Sequence, residues 1–542
     1  MPNIIGSDAY DVLLGTKSAD TINGKLYKDI LTGGGGKDKF VYNLGDGTDT
    51  ITDFGGIGKG INPTVAVIAE VDTIKFQGAG LTARNLLLTQ NGTNLEITFE
   101  RIANTKVILQ NFKLEDLENL KASGTRPAIG NILFDGQTSI TDSFDVFNAN
   151  STETSIGIKN TVTFLNDLAN NIKALDGSND VVNGQGGNDK IDGLSGDDLL
   201  RGGAGNDVLR GDAGNDSLIG DAGNNLLDGG NGNDTVSVSG YYTFDYPDEE
   251  FDSRVGGKNT LIGGVGDDNL SASGSKGNNL LNGGDGKDTL SISGYYNGNN
   301  YGYYDSRSGG NNTLNGGAGD DNLSASGSDG DNLLSGDDGN DFLSISGYYK
   351  YTPNDNPYEL RDLSITFDSR SSGDNTLNGG IGNDTLNAEG STGNNLLFGG
   401  DGNDILTASG ASGKNTFKGG SGNDTLTGGK GNDSLYGEAG IDSFAFNSFN
   451  EGIDKIYDFN ATNEVIRISA AGFGGGLSLG KLSASRFKIG ASATTSTQRF
   501  IYNSTTGALF FDQDGNASAF GQVQFAQLSN GLSLTNNNFL VV

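Results

Sequence analysis

The sequence predicts an all-β fold built as a thin, repeating solenoid, and three observations carry that reading. A nine-residue phrase recurs between Asp180 and Asp442, as in Gly202-Gly203-Ala204-Gly205-Asn206-Asp207-Val208-Leu209-Arg210. Its acidic or amide position returns every nine residues at Asp180, Asp189, Asp198, Asp207, Asp216 and Asn225, a regularity that marks a repeat architecture. Composition agrees: 90 glycines among 542 residues, with 34% hydrophobic residues, are poor material for a thick core. A solenoid that stacks one small unit on the next needs far less apolar bulk.

Each part of the phrase has a physical task. The glycines permit a tight turn with positive φ and bring backbone carbonyls together, and the aspartate adds a carboxylate to that ring of oxygens, which suits Ca²⁺. The last three residues form a short strand whose middle, apolar side chain points inward. These residues resemble the repeats-in-toxin, or haemolysin-type calcium-binding, family. The resemblance implies a parallel β-roll in which two nonapeptides make one coil and calcium lies between turns two motifs apart. The expected fold is therefore an all-β, calcium-binding parallel β-roll flanked by strand-rich N- and C-terminal modules.

Residues 1–128 read as an N-terminal module with degenerate repeats around Asp20 and Asp29, and good copies at Gly33-Gly34-Gly35-Gly36-Lys37-Asp38 and Gly45-Asp46-Gly47-Thr48-Asp49. The stretches Val71–Phe76, Asn94–Phe99 and Val107–Leu109 then alternate as half-buried strands do. That module resembles the domain that often follows short calcium-repeat blocks in the family, a compact cap or a ligand-binding element. Residues 129–175 lack the glycine motif and read as the opening coils of the roll, with short strands at 160–165 and 171–175.

The main roll is expected over 176–442. After Asp216 every second motif keeps its aspartate, while those between carry asparagine at Asn225, Asn259, Asn279, Asn312, Asn332, Asn375, Asn395 and Asn415. Alternate motifs fall on opposite edges of a two-motif coil, so one edge should carry carboxylates and bind calcium, and the other should carry amides. Each asparagine-to-aspartate step is nine residues, so the extra length bulges from the asparagine edge. The longest insertions start at Tyr241-Tyr242, Tyr295-Tyr296 and Tyr348-Tyr349, and close at Asp252-Ser253-Arg254, Asp305-Ser306-Arg307 and Asp368-Ser369-Arg370. They hold most of the chain's 18 tyrosines. Such loops offer contact area to a partner or a second copy; equally, they could pack on the roll, with each Asp-Ser-Arg forming a local ion pair.

The expected metal ligands are Asp38, Asp180, Asp189, Asp198, Asp207, Asp216, Asp234, Asp268, Asp288, Asp321, Asp341, Asp384, Asp404, Asp424, Asp433 and Asp442. About a dozen Ca²⁺ would offset most of the formal net charge of -33, so folding and calcium binding should be one event.

Residues 443–542 resemble the C-terminal modules of exported family members, and Phe539-Leu540-Val541-Val542 fits the uncleaved signal that type I secretion machinery reads. No charged stretch followed by an apolar run opens the chain, so an N-terminal signal peptide is not expected. Cytosolic calcium would not fill sites of extracellular affinity, roughly 10⁻⁴ to 10⁻³ M, which places the expected location outside the cell or on its surface. The charge disfavours nucleic acid and anionic membranes, and no apolar run is long enough for membrane insertion. With no His and no Cys, zinc-type imidazole sites, thiol chemistry and the usual general base are missing.

The expected role is non-enzymatic and structural: a calcium-binding surface protein that self-assembles into a fibril, sheath or surface layer, with a repeat-dominated chain similar to cyanobacterial surface proteins of the oscillin type. The alternative is a calcium-dependent adhesin for cell-surface polysaccharide, using the tyrosines as sugar platforms. A carboxylate enzyme acting on polysaccharide, as some family epimerases do, is the least favoured, because the motif aspartates are already accounted for as ligands.

Overall fold

The computed structural model describes residues 2–238, 242–245, 249–252, 256–299, 302–352 and 365–542. The chain divides into two compact units, Met1–Ile219 and Gly220–Val542. Both are built from short strands that pair in parallel with strands one coil away, which makes the protein an all-β parallel β-roll.

The first unit holds two rolls. In the N-terminal one, Asn3–Ile5, Thr21–Asn23, Lys39–Asn43, Thr73–Gln77 and Ile132–Leu133 form one sheet. Its in-register column is Ile4, Ile22, Phe40, Ile74 and Ile132. The facing sheet runs Val12–Leu14, Ile30–Thr32, Gly47–Ile51 and Thr105–Leu109, then turns antiparallel through Asn94–Phe99 to Leu86–Asn91. The degenerate repeats around Asp20 and Asp29 are thus coils of a roll in their own right. Of the segment 129–175, its first strands, Ile129–Gly130 and Ile132–Leu133, pair within this N-terminal roll.

The second roll of this unit starts at Phe144–Val146. One sheet continues through Val162–Phe164, Val181–Asn183, Leu199–Arg201 and Ser217–Ile219. The other runs Asn171–Lys173, Lys190–Asp192 and Val208–Ala213. Middle residues point inward as the triplet pattern requires: Val182, Leu200, Leu218, Ile172, Ile191 and Leu209 are fully buried. The outer faces of the first coils are buried too, because Phe144, Val162, Phe164, Val181 and Leu199 share a core with Phe76, Phe99 and Phe134 of the N-terminal roll. Arg201, buried at that seam, donates to Asn183 Oδ1 at 2.9 Å and pairs with Glu100.

In the second unit two apolar ladders fill the roll. Leu227, Leu261, Leu281, Leu314, Leu334, Leu377, Leu397, Phe417 and Leu435 stack in register on one side. Val236, Leu270, Leu290, Leu323, Leu343, Leu386, Leu406, Leu426 and Phe444 stack on the other. All are without solvent exposure. The insertions leave the coil between each carboxylate-edge strand and the next asparagine, as at 272–278 ahead of Asn279.

The tyrosine insertions form antiparallel hairpins that pair with one another. Their six-stranded sheet has the order Glu249–Asp252, Tyr242–Asp245, Gly302–Asp305, Tyr296–Asn299, Ile365–Asp368, Tyr349–Thr352. Tyr241 and the Ser253-Arg254 end of the first insertion lie outside the described residues. The Asp-Ser-Arg closures of the other two make local ion pairs, Arg307 to Asp305 at 3.0 Å and Arg370 to Asp368 at 2.9 Å. The same guanidinium groups lie over Tyr296 and Tyr349.

After Asp442 the roll's sheets continue. Ser443–Phe446 pairs with Val465–Ile468, which pairs with the terminal strand Phe539–Val541. Phe500–Asn503, Ala508–Phe511 and Val523–Gln527 follow as antiparallel neighbours, and their buried rings Phe500, Phe511 and Phe525 surround Phe473. No helix among the described residues is long and apolar enough to cross a membrane.

Because each inner leucine meets the coils on either side, Leu323→Ala in calcium should destabilise the second unit by roughly 2–5 kcal/mol. Thr289→Ser, on the outer face, should change stability by less than about 0.5 kcal/mol. Urea unfolding of both variants measures the difference.

Candidate metal centre

Stacking places the expected ligands in columns. In the first unit the Asp180 N–H donates to Asp198 Oδ1 at 2.7 Å, and the Asp198 N–H to Asp216 Oδ1 at 2.8 Å. In the second unit the same bond links Asp234, Asp268, Asp288, Asp321, Asp341, Asp384, Asp404, Asp424 and Asp442 in sequence, at 2.7–2.9 Å. Asp189 and Asp207 form a short column on the opposite edge of the first unit. Asp38 stands in the N-terminal roll, accepting from the Asp20 N–H and donating its own N–H to Asp72 Oδ1, both at 2.7 Å.

Where the column is regular, Oδ1 accepts from the coil before it, as in Asp268, Asp288, Asp321, Asp341, Asp384, Asp404, Asp424 and Asp442, and Oδ2 is the other end of the carboxylate. Oδ2 of Asp189, Asp198, Asp268, Asp288, Asp321, Asp341, Asp384, Asp404, Asp424 and Asp442 is buried with no hydrogen-bond partner. The first glycine of the motif makes room for it. A methyl group at Gly263 would collide with Asp268 Oδ2 and lie 2.6 Å from the Gly283 carbonyl oxygen of the next coil. Gly283 repeats this with Asp288 and the Gly316 carbonyl, and Gly379 with Asp384 and the Gly399 carbonyl. A buried carboxylate oxygen and a carbonyl oxygen thus converge on one small space, and neither can donate. Such a set fits Ca²⁺, a hard cation that takes six to eight oxygens.

Electrostatics point the same way. Burial first, and neighbouring carboxylates second, push the Asp198, Asp268, Asp321 and Asp404 carboxyls up to about 7. Asp341 and Asp424 are pushed up to about 6 by the same causes.

The asparagine edge solves its problem internally. Asn332 Nδ2 donates to Asn375 Oδ1 at 2.8 Å, to the Gly330 carbonyl at 2.8 Å and to Ser328 Oγ at 3.1 Å. Asn279, Asn312 and Asn395 bond to the next asparagine in the same way, each at 2.9 Å. On this edge the amide NH₂ supplies the positive end that the aspartate edge lacks.

Two expected ligands sit differently from the rest. Asp433 follows Asn415 in the asparagine column: its Oδ1 accepts from the Asn415 N–H and Nδ2, and its Oδ2 from the Gly429 N–H at 2.7 Å. Asp180 Oδ2 accepts from the Leu175 N–H at 2.9 Å, and its Oδ1 from Ser178 Oγ at 2.6 Å. Both carboxylates are satisfied by protein donors. Conversely, Asp72 and Asp454 occupy column positions that motif spacing does not reveal. Asp72 follows Asp38 by 34 residues and Asp454 follows Asp433 by 21. Burial pushes Asp72 up to about 7 and Asp454 up to about 8. Asp20, Asp29 and Asp49 are likewise buried column residues of the N-terminal roll.

With its carboxyls raised, the cation-free roll binds protons that the unfolded chain, with aspartates near 3.9, has released. Its stability is therefore fullest below about pH 4 and is lost as pH rises through about 6 to 7. Circular dichroism in chelator should show more folded protein at pH 5 than at pH 8, and calcium added at pH 7 should release protons to an indicator dye. Separately, Asp321→Asn borders two gaps of the column and should remove about one or two bound Ca²⁺ per chain, counted by atomic emission after dialysis.

The family described as RTX calcium-binding nonapeptide repeat (4 copies) matches residues 14–51, 176–209, 201–236, 271–291, 308–327, 324–344, 387–410 and 409–444. Among solved structures, the chain is similar to the AlgE6R3 subunit of a mannuronan C5-epimerase from Azotobacter vinelandii. There the identity is 25% over 30% of this chain and 78% of that one, with a TM-score of 0.13. It is also similar to the extracellular lipase LipA from Serratia marcescens, at 19% identity over 53% of this chain and 40% of that one, with a TM-score of 0.13. No curated protein matches the chain. The chain carries RTX calcium-binding nonapeptide repeats in both of its units.

Proposed function

We propose that the protein is an exported, non-enzymatic structural protein of the cell surface that folds on calcium and self-assembles into a fibril, sheath or surface layer. The observation that carries this reading is the column of buried, partnerless Oδ2 atoms. Most of the second unit is devoted to it, and it has a use only where calcium is plentiful. Low cytosolic calcium would keep the chain unfolded before export. That matters because the terminal Phe539–Val541 strand is paired and buried in the folded unit, so type I secretion machinery would have to read it before folding.

The hairpin sheet supplies the contact surface. Tyr295 and Tyr348 both stack on Phe367, at 5.2 and 4.9 Å between ring centroids, and remain 38% and 60% exposed. Exposed aromatic stripes of this kind mark contact surfaces. The same stripe favours a second reading, a calcium-dependent adhesin in which the rings stack on sugars of a cell-surface polysaccharide.

Negative-stain microscopy of purified protein in calcium and in chelator decides between them. Self-assembly predicts filaments or sheets in calcium that disperse in chelator and are lost in Tyr295→Ser/Tyr348→Ser. Single particles in calcium, together with retention on polysaccharide that the same substitutions abolish, would replace it with the adhesin.

A further inference from the structure

We infer a further calcium site outside the nonapeptide repeats, formed by Glu118, Asp142, Asp145 and Thr163, that closes the first end of the second roll's interior. Glu118, Asp142 and Asp145 each offer a carboxylate oxygen within 4.8 Å of the others. Ca²⁺ takes oxygens at 2.3–2.6 Å, so oxygens up to about 5 Å apart can share one ion.

The independent observation is Thr163. It is 1% exposed, and its Oγ1 has no hydrogen-bond partner. It lines, with Glu118 and Asp145, a cavity of about 350 Å³. Thr163 and Asp145 are register partners on neighbouring parallel strands, so their side chains share a face. That face is the inward column of the roll, in which Thr163 pairs with Val182 and Val182 with Leu200. Followed back to its first coil, the apolar interior therefore becomes a hydroxyl and then a carboxylate.

The inward column thus ends on an acid, Asp145, beside Glu118 and Asp142. Glu118 is held in place by the Asn119 N–H on Oε1 at 2.8 Å and the Val146 N–H on Oε2 at 3.3 Å. Each carboxylate oxygen keeps a further lone pair for a ligand. Among the described residues the cluster makes one ion pair, from the largely exposed Lys121 Nζ to Asp142 Oδ2 at 3.8 Å. Three carboxylates against one distant ammonium leave a net charge that a divalent cation neutralises, with the Thr163 hydroxyl adding a neutral oxygen directly or through one water.

The site rests on residues separate from the aspartate columns, and its test is read separately. Native mass spectrometry of the full chain in calcium should show Glu118→Gln/Asp145→Asn holding one ion fewer than the wild type. Far-UV circular dichroism should be unchanged, and the loss should add to that of Asp321→Asn. An unchanged ion count in a folded variant overturns the site and leaves the repeat sites standing. Should the double variant fail to fold, wild-type crystals with terbium in place of calcium decide. Anomalous density between Glu118, Asp142 and Asp145 supports the site; density in the aspartate columns with none here overturns it.

Discussion

Everything in this protein depends on stacked, buried carboxylates that face other acceptors. Coils repeat about every 4.8 Å, and at that distance two unit charges repel by about 3.5 kcal/mol at an effective dielectric near 20. The second unit repeats this contact from Asp234 to Asp442, so the cation-free column is costly unless its acids take up protons, which is the direction in which their pKa values are raised. A divalent ion between coils reverses the sign of the same interaction. Glycine is required because the space holding Oδ2 is the space a Cβ would fill.

The asparagine edge shows how little separates a cation column from a self-sufficient one. Replacing one carboxylate oxygen by NH₂ turns acceptor against acceptor into donor against acceptor, and the Asn279–Asn415 ladder closes with side-chain bonds of 2.8–3.2 Å. That edge can therefore admit insertions, since its turns do not have to keep the oxygen geometry of a metal ligand. Placing the tyrosine hairpins there keeps them apart from the edge suited to the ions.

Pairing between hairpins ties the insertions to one another. Tyr242–Asp245 pairs with Gly302–Asp305, and Tyr296–Asn299 with Ile365–Asp368, so neighbouring hairpins share one sheet. The ion pairs and stacked guanidinium groups of Arg307 and Arg370 hold the bases of two of them.

The sequence by itself determined the roll, the alternation of acid and amide edges, the edge that bears insertions and the inward leucines. These are written locally: a nine-residue phrase states its own turn, its strand and the direction of its middle side chain. Only the tertiary structure decided which further acids join a column and which carboxylates are met by protein donors. Asp72 and Asp454 take column places at irregular spacing, and Asp180 and Asp433 fill their lone pairs from Leu175 and Gly429 instead of facing a bare oxygen. It alone paired the hairpins with one another, and it alone brought Glu118, Asp142 and Asp145 together where the interior ladder ends. The physical reason is the same in each case: periodicity reports what a segment does to itself, whereas a partner from another coil or another roll leaves no mark on local spacing.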